Sequence, residues 1–143
     1  MLHAAIRPSD WELPLLVHVA GAMLLVGSLV AVLAIALAAR RAGPGDDTGL
    51  PRLAFRVLLL GVLPSWVVMR VGAQWVEGKE DWGDTGWIGL GYASSEAGLL
   101  LILVALFLAR RARDRPGTAV VALSSVLLLA YTVTIWAMTA KPG

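Results

Sequence analysis

From Leu13 to Ala39 the chain carries no formally charged side chain. An apolar run of that length admits few solutions. In hydrocarbon no water bonds the backbone, so each N–H and C=O must find its partner within the segment, as an α-helix allows. Three further apolar runs follow: Leu53 to Val76, about Tyr92 to Ala109, and Thr118 to Ala140. Each supplies the roughly 20 residues that, at about 1.5 Å per residue, carry a helix across about 30 Å of hydrocarbon. Only 15% of all residues are charged, against about 25% in soluble domains, and the mean hydropathy is +0.76. The sequence therefore reads as all-α, a four-helix transmembrane bundle with spans at about 13–39, 53–76, 92–109 and 118–140. The connections leave no room for a further soluble unit, so one domain over residues 1–143 is expected.

Charge placement gives the expected orientation. Arg40, Arg41, Arg52 and Arg56 stand between the first two spans, and Arg110, Arg111, Arg113 and Arg115 between the last two. On the other side stand Arg7, Lys79 and Lys141, and the long connection there, VEGKEDWGDTG, is acidic. The positive-inside rule puts both arginine-bearing loops in the cytoplasm and both termini outside. The clusters AGPGDDTGLPR and RDRPG break helices and mark those loops as turns. Trp11, Trp82, Trp87 and Tyr92 suit an aromatic belt at the outer interface. Residues 36 to 38, ALA, mimic a signal-peptidase site, but the apolar stretch before them is too long for a signal sequence and a double arginine follows, so the first span is expected to stay. Topology accounts for the arginines, and no nucleic-acid partner is expected. The expected partner is the lipid bilayer, and the expected location is integral to a bacterial cytoplasmic membrane.

Several chemistries are excluded. With no cysteine, disulfides, thiolate metal sites and thiol catalysis are ruled out. No G-x-S-x-G, H-E-x-x-H, P-loop or dinucleotide motif occurs. The acidic run Glu77, Glu80, Asp81 and Asp84 lacks the residue order of a calcium loop and reads as a solvated connection. Glu96 is the only acid well inside a span, so no catalytic carboxylate pair exists there. A non-enzymatic protein with no metal site is expected.

The polar residues inside the spans carry what functional signal there is. Arg70 lies 14 residues, about 21 Å, from Arg56 along the second span, and Glu96 lies 14 residues from Arg110 along the third. Opposite charges at one depth predict an ion pair, because an arginine within a span costs at least about 2.5 kcal/mol on insertion scales and seeks a counter-charge inside the bundle. His18, Trp66, Gln74, Tyr131 and Thr134 reach the same outer third, and Ser94 and Ser95 flank the glutamate. Pro64 has no amide hydrogen for Leu60 and is expected to kink the second span, opening space below Trp66 and Arg70. Together these predict an outward-facing polar pocket around Arg70 and Glu96. Plainer roles stand beside it: a register-fixing salt bridge or a snorkelling arginine, a packed His18, and Tyr131 and the threonines bonded within their own helix. Along the first span, Ala20, Gly27, Ala31, Ala34 and Ala38 form a small-residue seam suited to a neighbouring helix. His18 projects from nearly the opposite face, toward other helices, a ligand, or a second copy in a homo-oligomer or larger membrane complex.

The segment LLVHVAGAMLLVG at residues 15–27 resembles the first helix of small bacterial integral membrane proteins of the copper-resistance D pattern, in which a histidine precedes a glycine-rich, small-residue stretch. The run TGWIGLGYASSEAGLLLIL at residues 85–103 is similar to their tryptophan-led third helix. The resemblance implies a four-helix membrane bundle and a copper-related role, or a b-type haem held by His18. The chain departs from that pattern: it lacks cysteine, Met23, Met69 and Met138 form no cluster by spacing, and His18 is the one histidine within a span. A second axial ligand would have to come from a methionine or from His18 of a second copy. A small ligand or ion bound at the Arg70–Glu96 pocket, or an accessory subunit built around it, is the first functional expectation. A haem or copper redox protein using His18 and a small-solute or proton-coupled transporter are the alternatives.

Overall fold

The computed structural model describes residues 11–43, 48–79, 86–111 and 117–140. Arg7, Glu80, Asp81, Trp82, Asp84, Arg113, Arg115 and Lys141 lie outside the described residues, with the readings placed on them. The chain forms α1 (Glu12–Ala42), α2 (Leu50–Val57), a π turn (Leu58–Val62), α3 (Leu63–Glu77), α4 (Gly86–Arg111) and α5 (Thr118–Ala140). The second span is thus α2, the π turn and α3 in sequence. All four spans are long and apolar enough to cross a membrane, and together they make an all-α, four-helix bundle. The third helix begins at Gly86, a turn and a half before the expected start at Tyr92, so Trp87 opens a helix instead of sitting in the connection.

Pro64 explains the break in the second span. It has no N–H for the Leu60 carbonyl, and the residue before it, Leu63, donates its N–H to Leu58 O, five residues back. A wide turn immediately before a proline absorbs the missing bond without ending the helix. The glycines at the ends of the first connection are conformational necessities: Gly43 has φ 83° and Gly49 has φ 69°, in the region that side chains disfavour.

α1 is the spine of the bundle and packs against α2, α3 and α5, while α4 packs chiefly on α5. Leu25, Leu29 and Val32 of α1, Leu58 and Val62 of the π turn, Ile102 and Ala105 of α4 and Leu127 of α5 are essentially inaccessible and form the centre of the core. In lipid such a core gains little from the hydrophobic effect and depends on close fit. The closest fit lies where α1 crosses α3. A Cβ at Gly21 would stand 2.7 Å from Met69 Cα, and a Cβ at Gly72 would stand 2.6 Å from His18 Cα. Two glycines facing each other's helix let these backbones touch.

The expected small-residue seam on α1 is not where the chain packs on itself. Gly27, Ala34 and Ala38 are exposed, whereas the adjoining stripe of Gly21, Leu25, Leu29, Val32, Ala36 and Ala39 is buried. The packed stripe mixes one glycine and two alanines with large side chains, and the second span and α5 pack on α1. At the arginine-bearing end, Ala36, Ala39, Pro51, Ala54, Ala109, Gly117 and Val120 surround a cavity of about 10 Å³, room for one water at most. Arg40, Arg41, Arg52, Arg56, Arg110 and Arg111 are all exposed around that end.

Candidate functional site

The opposite end holds the polar residues. α3 and α4 approach each other little through their backbones and are joined there by long side chains. Trp66 donates its indole N–H to the carbonyl of Ser95 at 3.1 Å. One turn along α3, Arg70 Nη2 and Nε both donate to Glu96 Oε1, at 3.0 and 3.2 Å. The guanidinium lies over the ring of Tyr92, 4.5 Å from its centroid, and the Tyr92 hydroxyl in turn donates to Glu77 Oε2. The predicted pair is therefore present, and it belongs to a four-membered lattice of Arg70, Glu96, Tyr92 and Glu77.

Helical spacing explains why these four meet. Arg70 and Glu77 are seven residues apart on α3 and Tyr92 and Glu96 four apart on α4, so each couple shares a helix face. The same periodicity read on Tyr92 and Glu77 identifies them from the sequence once Arg70 and Glu96 are paired. Glu77 thus closes α3 and bonds Tyr92 instead of lying in a solvated connection.

Burial is uneven across the pair. The Arg70 side chain is 17% exposed and that of Glu96 58%. The cation faces inward and the anion faces out. Arg70 Nη1 is fully enclosed and has no hydrogen-bond partner among the described residues. Ser95 Oγ and the Tyr131 hydroxyl are in the same condition, on residues only 6% and 5% exposed. Tyr131 reaches across from α5 because Gly98 has no side chain: a Cβ there would overlap the tyrosine hydroxyl. Ser95 and Gly98, three residues apart, lie on one face of α4. A third unpartnered hydroxyl, Ser124, lies two turns further along α5 toward the arginine-bearing end.

The other sequence candidates are placed elsewhere. His18 sits at the α1–α3 crossing, where its Nδ1 is 3.0 Å from Met69 O. A carbonyl only accepts, so Nδ1 carries the proton, and in the neutral ring Nε2 keeps the lone pair. Thr134 donates to Ala130 O at 2.9 Å and Thr132 to Leu128 O at 2.7 Å, both within α5. Gln74 is exposed on α3. The structure thus brings Trp66 to the Ser95 carbonyl, pairs Arg70 with Glu96, and sets the Tyr131 hydroxyl against Gly98. It turns Thr134 onto its own helix and sets His18 on the α1 side of α3. Among the described residues no group of three or more acidic, histidine or cysteine side chains is arranged to hold a metal ion.

No family model matches the chain, and no curated protein or solved structure matches it either. The likeness to the copper-resistance D pattern stays a likeness of two short segments.

Proposed function

We propose that this chain is a non-enzymatic, four-span membrane protein that binds a small ligand or ion on the non-cytoplasmic side, at the polar cluster built around Arg70 and Glu96. One observation carries the reading: the guanidinium is held from one edge by Glu96 and from its face by Tyr92, while Nη1 is buried with no partner among the described residues. A salt bridge that served only to fix helix register would leave no donor unmatched, because an unmatched buried charge-bearing donor is costly. Fixing the arginine while leaving one amino group unengaged is how a binding site is pre-organised. The arginine distribution supports placing this end outside, with both termini there.

The test is thermal melting of the purified protein in mild detergent against a panel of small anions, cations and neutral polar solutes. A saturable rise in Tm that Arg70→Gln abolishes and His18→Gln preserves supports the reading. No saturable rise with any class, or one that survives Arg70→Gln, refutes it and favours an accessory subunit, which would co-purify with a larger complex.

A second reading rests on His18. Its Nδ1–H is held by Met69 O, the arrangement that fixes ring orientation and raises the basicity of Nε2 in metal-ligating histidines. A b-type haem or a copper ion bound through Nε2, with a second ligand from a methionine or another copy, is consistent with that geometry. The absorption spectrum of the purified protein decides it: a Soret band lost in His18→Ala supports haem. A protein colourless after expression with added haem precursor excludes it. For a transporter, proteoliposome flux abolished by Glu96→Gln is the corresponding observation.

A further inference from the structure

We infer that the arginine-bearing end of the bundle is a docking surface for an anionic phospholipid, its phosphate held at the rim of the small cavity there by Arg40 of α1 and Arg110 of α4. Ala39 and Ala109 line that one cavity from the two helices. Arg40 follows Ala39 in the chain and Arg110 follows Ala109, which sets each arginine Cα about 3.8 Å from that of a lining residue. Both long side chains therefore start from a common rim. The cavity, about 10 Å³, is too small to admit a phosphate, so the headgroup rests on the rim.

Topology alone asks for arginines at this end but not for these two positions. Arg40 lies four residues past buried Ala36 and Arg110 four past buried Leu106, a rotation of about 40°. Each therefore flanks the inward stripe of its helix, and each is exposed because the packed core ends beneath it. Arg41 and Arg111, about 100° further round, face away from the core.

Charge selects the occupant. Residues 40–56 and 110–115 hold eight arginines against three aspartates. The acids among the described residues, Glu12, Glu77 and Glu96, all stand at the opposite end. The helix ends add nothing net: α1 and α4 finish at this level and α2 and α5 begin there, so partial charges of about half a unit cancel in pairs. Such a rim takes an anion, and the guanidinium fork suits the paired oxygens of a phosphate. The lipid is favoured over a free phosphate by what lies beneath. The rim stands at the ends of four membrane spans, and Phe107 and Leu103, one and two turns below Arg110, are 62% and 47% exposed. Acyl chains have an apolar track there, and basic pockets between spans bind such headgroups.

The experiment melts the full chain in dodecyl maltoside micelles carrying dioleoyl phosphatidylglycerol or dioleoyl phosphatidylcholine at equal mole fraction, and separately with sodium phosphate replacing sodium chloride at equal ionic strength. One variant combines Arg40→Gln with Arg110→Gln. Its charge-matched control combines Arg41→Gln with Arg111→Gln, and all four positions are exposed. The expected result is a saturable rise in Tm with phosphatidylglycerol alone. Its midpoint moves at least about tenfold to higher mole fraction in the rim pair and less than about threefold in the control pair, since about 1 kcal/mol per charge corresponds to about fivefold for each arginine. Should circular dichroism show that the rim pair has lost helicity, the single substitutions carry the test at about fivefold each. Equal shifts in the two pairs overturn the site in favour of diffuse attraction. An equal rise with phosphatidylcholine overturns the selection for an anion, and a rise reproduced by sodium phosphate overturns the lipid as its source. No rise with phosphatidylglycerol overturns the inference outright.

Discussion

Gly72 and His18 lie backbone against backbone: a Cβ on the glycine would stand 2.6 Å from His18 Cα. Gly21 meets Met69 in the same way, so the α1–α3 crossing has a glycine from each helix. Gly72→Ala and Gly21→Ala force those backbones apart and lengthen the His18–Met69 hydrogen bond. Overpacking of this kind costs about 1–3 kcal/mol. Gly27 lies on the same helix with nothing within 4 Å of an added Cβ, and Gly27→Ala should change stability by no more than about 0.5 kcal/mol. Reversible unfolding in mixed micelles measures both. Equal effects at Gly27 and Gly72 would remove the crossing as the close-fit element of the bundle.

The Arg70–Glu96 pair predicts a coupling. Arg70→Leu and Glu96→Leu each strand a partner, the first a carboxylate and the second an enclosed guanidinium, whereas the double substitution strands neither. The expected coupling is about 0.5–3 kcal/mol, with the larger single loss from Glu96→Leu because the cation is the more buried member. Tyr92→Leu should add to it by removing the face contact, worth about 0.5–2 kcal/mol. Strictly additive losses in the cycle would mean that the two side chains do not support each other.

The pair was legible in the sequence because height along a helix is a forgiving quantity. Fourteen residues from Arg56 and fourteen from Arg110 give equal depth, and the extra residue of the π turn alters that depth by only about 1.5 Å. Direction is unforgiving: one inserted residue turns every later side chain by about 100°. Hence the depth of Arg70 could be read from the sequence, but the α4-facing side of α3 and the α1-facing placement of Gly72 and Met69 could not. The seam on α1 failed for a related reason. Small residues show where another helix is able to approach, but Ala31 and Ala34 carry no mark of whether that helix belongs to the chain. The unpartnered Ser95 and Tyr131 hydroxyls were equally hidden, since a hydroxyl within a span most often bonds its own helix, as Thr132 and Thr134 do here.

That sensitivity to direction makes a prediction about the second span. The π turn Leu58–Val62 holds one residue more than an α-helical turn, so deletion of Gly61 should convert it to a continuous helix while leaving the faces of α2 and α3 where they are. Insertion of one alanine between Val68 and Met69 keeps the length similar but swings Arg70 about 100° away from Glu96. The deletion should preserve the Arg70–Glu96 coupling and the insertion should abolish it, measured by the same double-substitution cycle in each background. Loss of coupling in both would mean that Pro64 and the π turn set the direction of α3 by a route other than residue count.

Ser124 tests whether a buried hydroxyl is empty or occupied. It is fully buried on α5 and has no partner among the described residues, and it stands seven residues, about two turns, from Tyr131 toward the arginine-bearing end. A buried hydroxyl without a partner carries a desolvation cost of about 1–3 kcal/mol. Ser124→Ala should therefore leave stability unchanged or raise it. Ser125 next to it is exposed and bonds Val121 O at 2.9 Å, and Ser125→Ala should fall within about 0.5 kcal/mol of wild type. Gly98→Ala, which drives the Tyr131 hydroxyl from its place, should by contrast lower stability. If Ser124→Ala proves as damaging as Gly98→Ala, buried hydroxyls are being satisfied along the whole length of α5, and the polar atoms at its two depths belong to one hydrated path through the bundle.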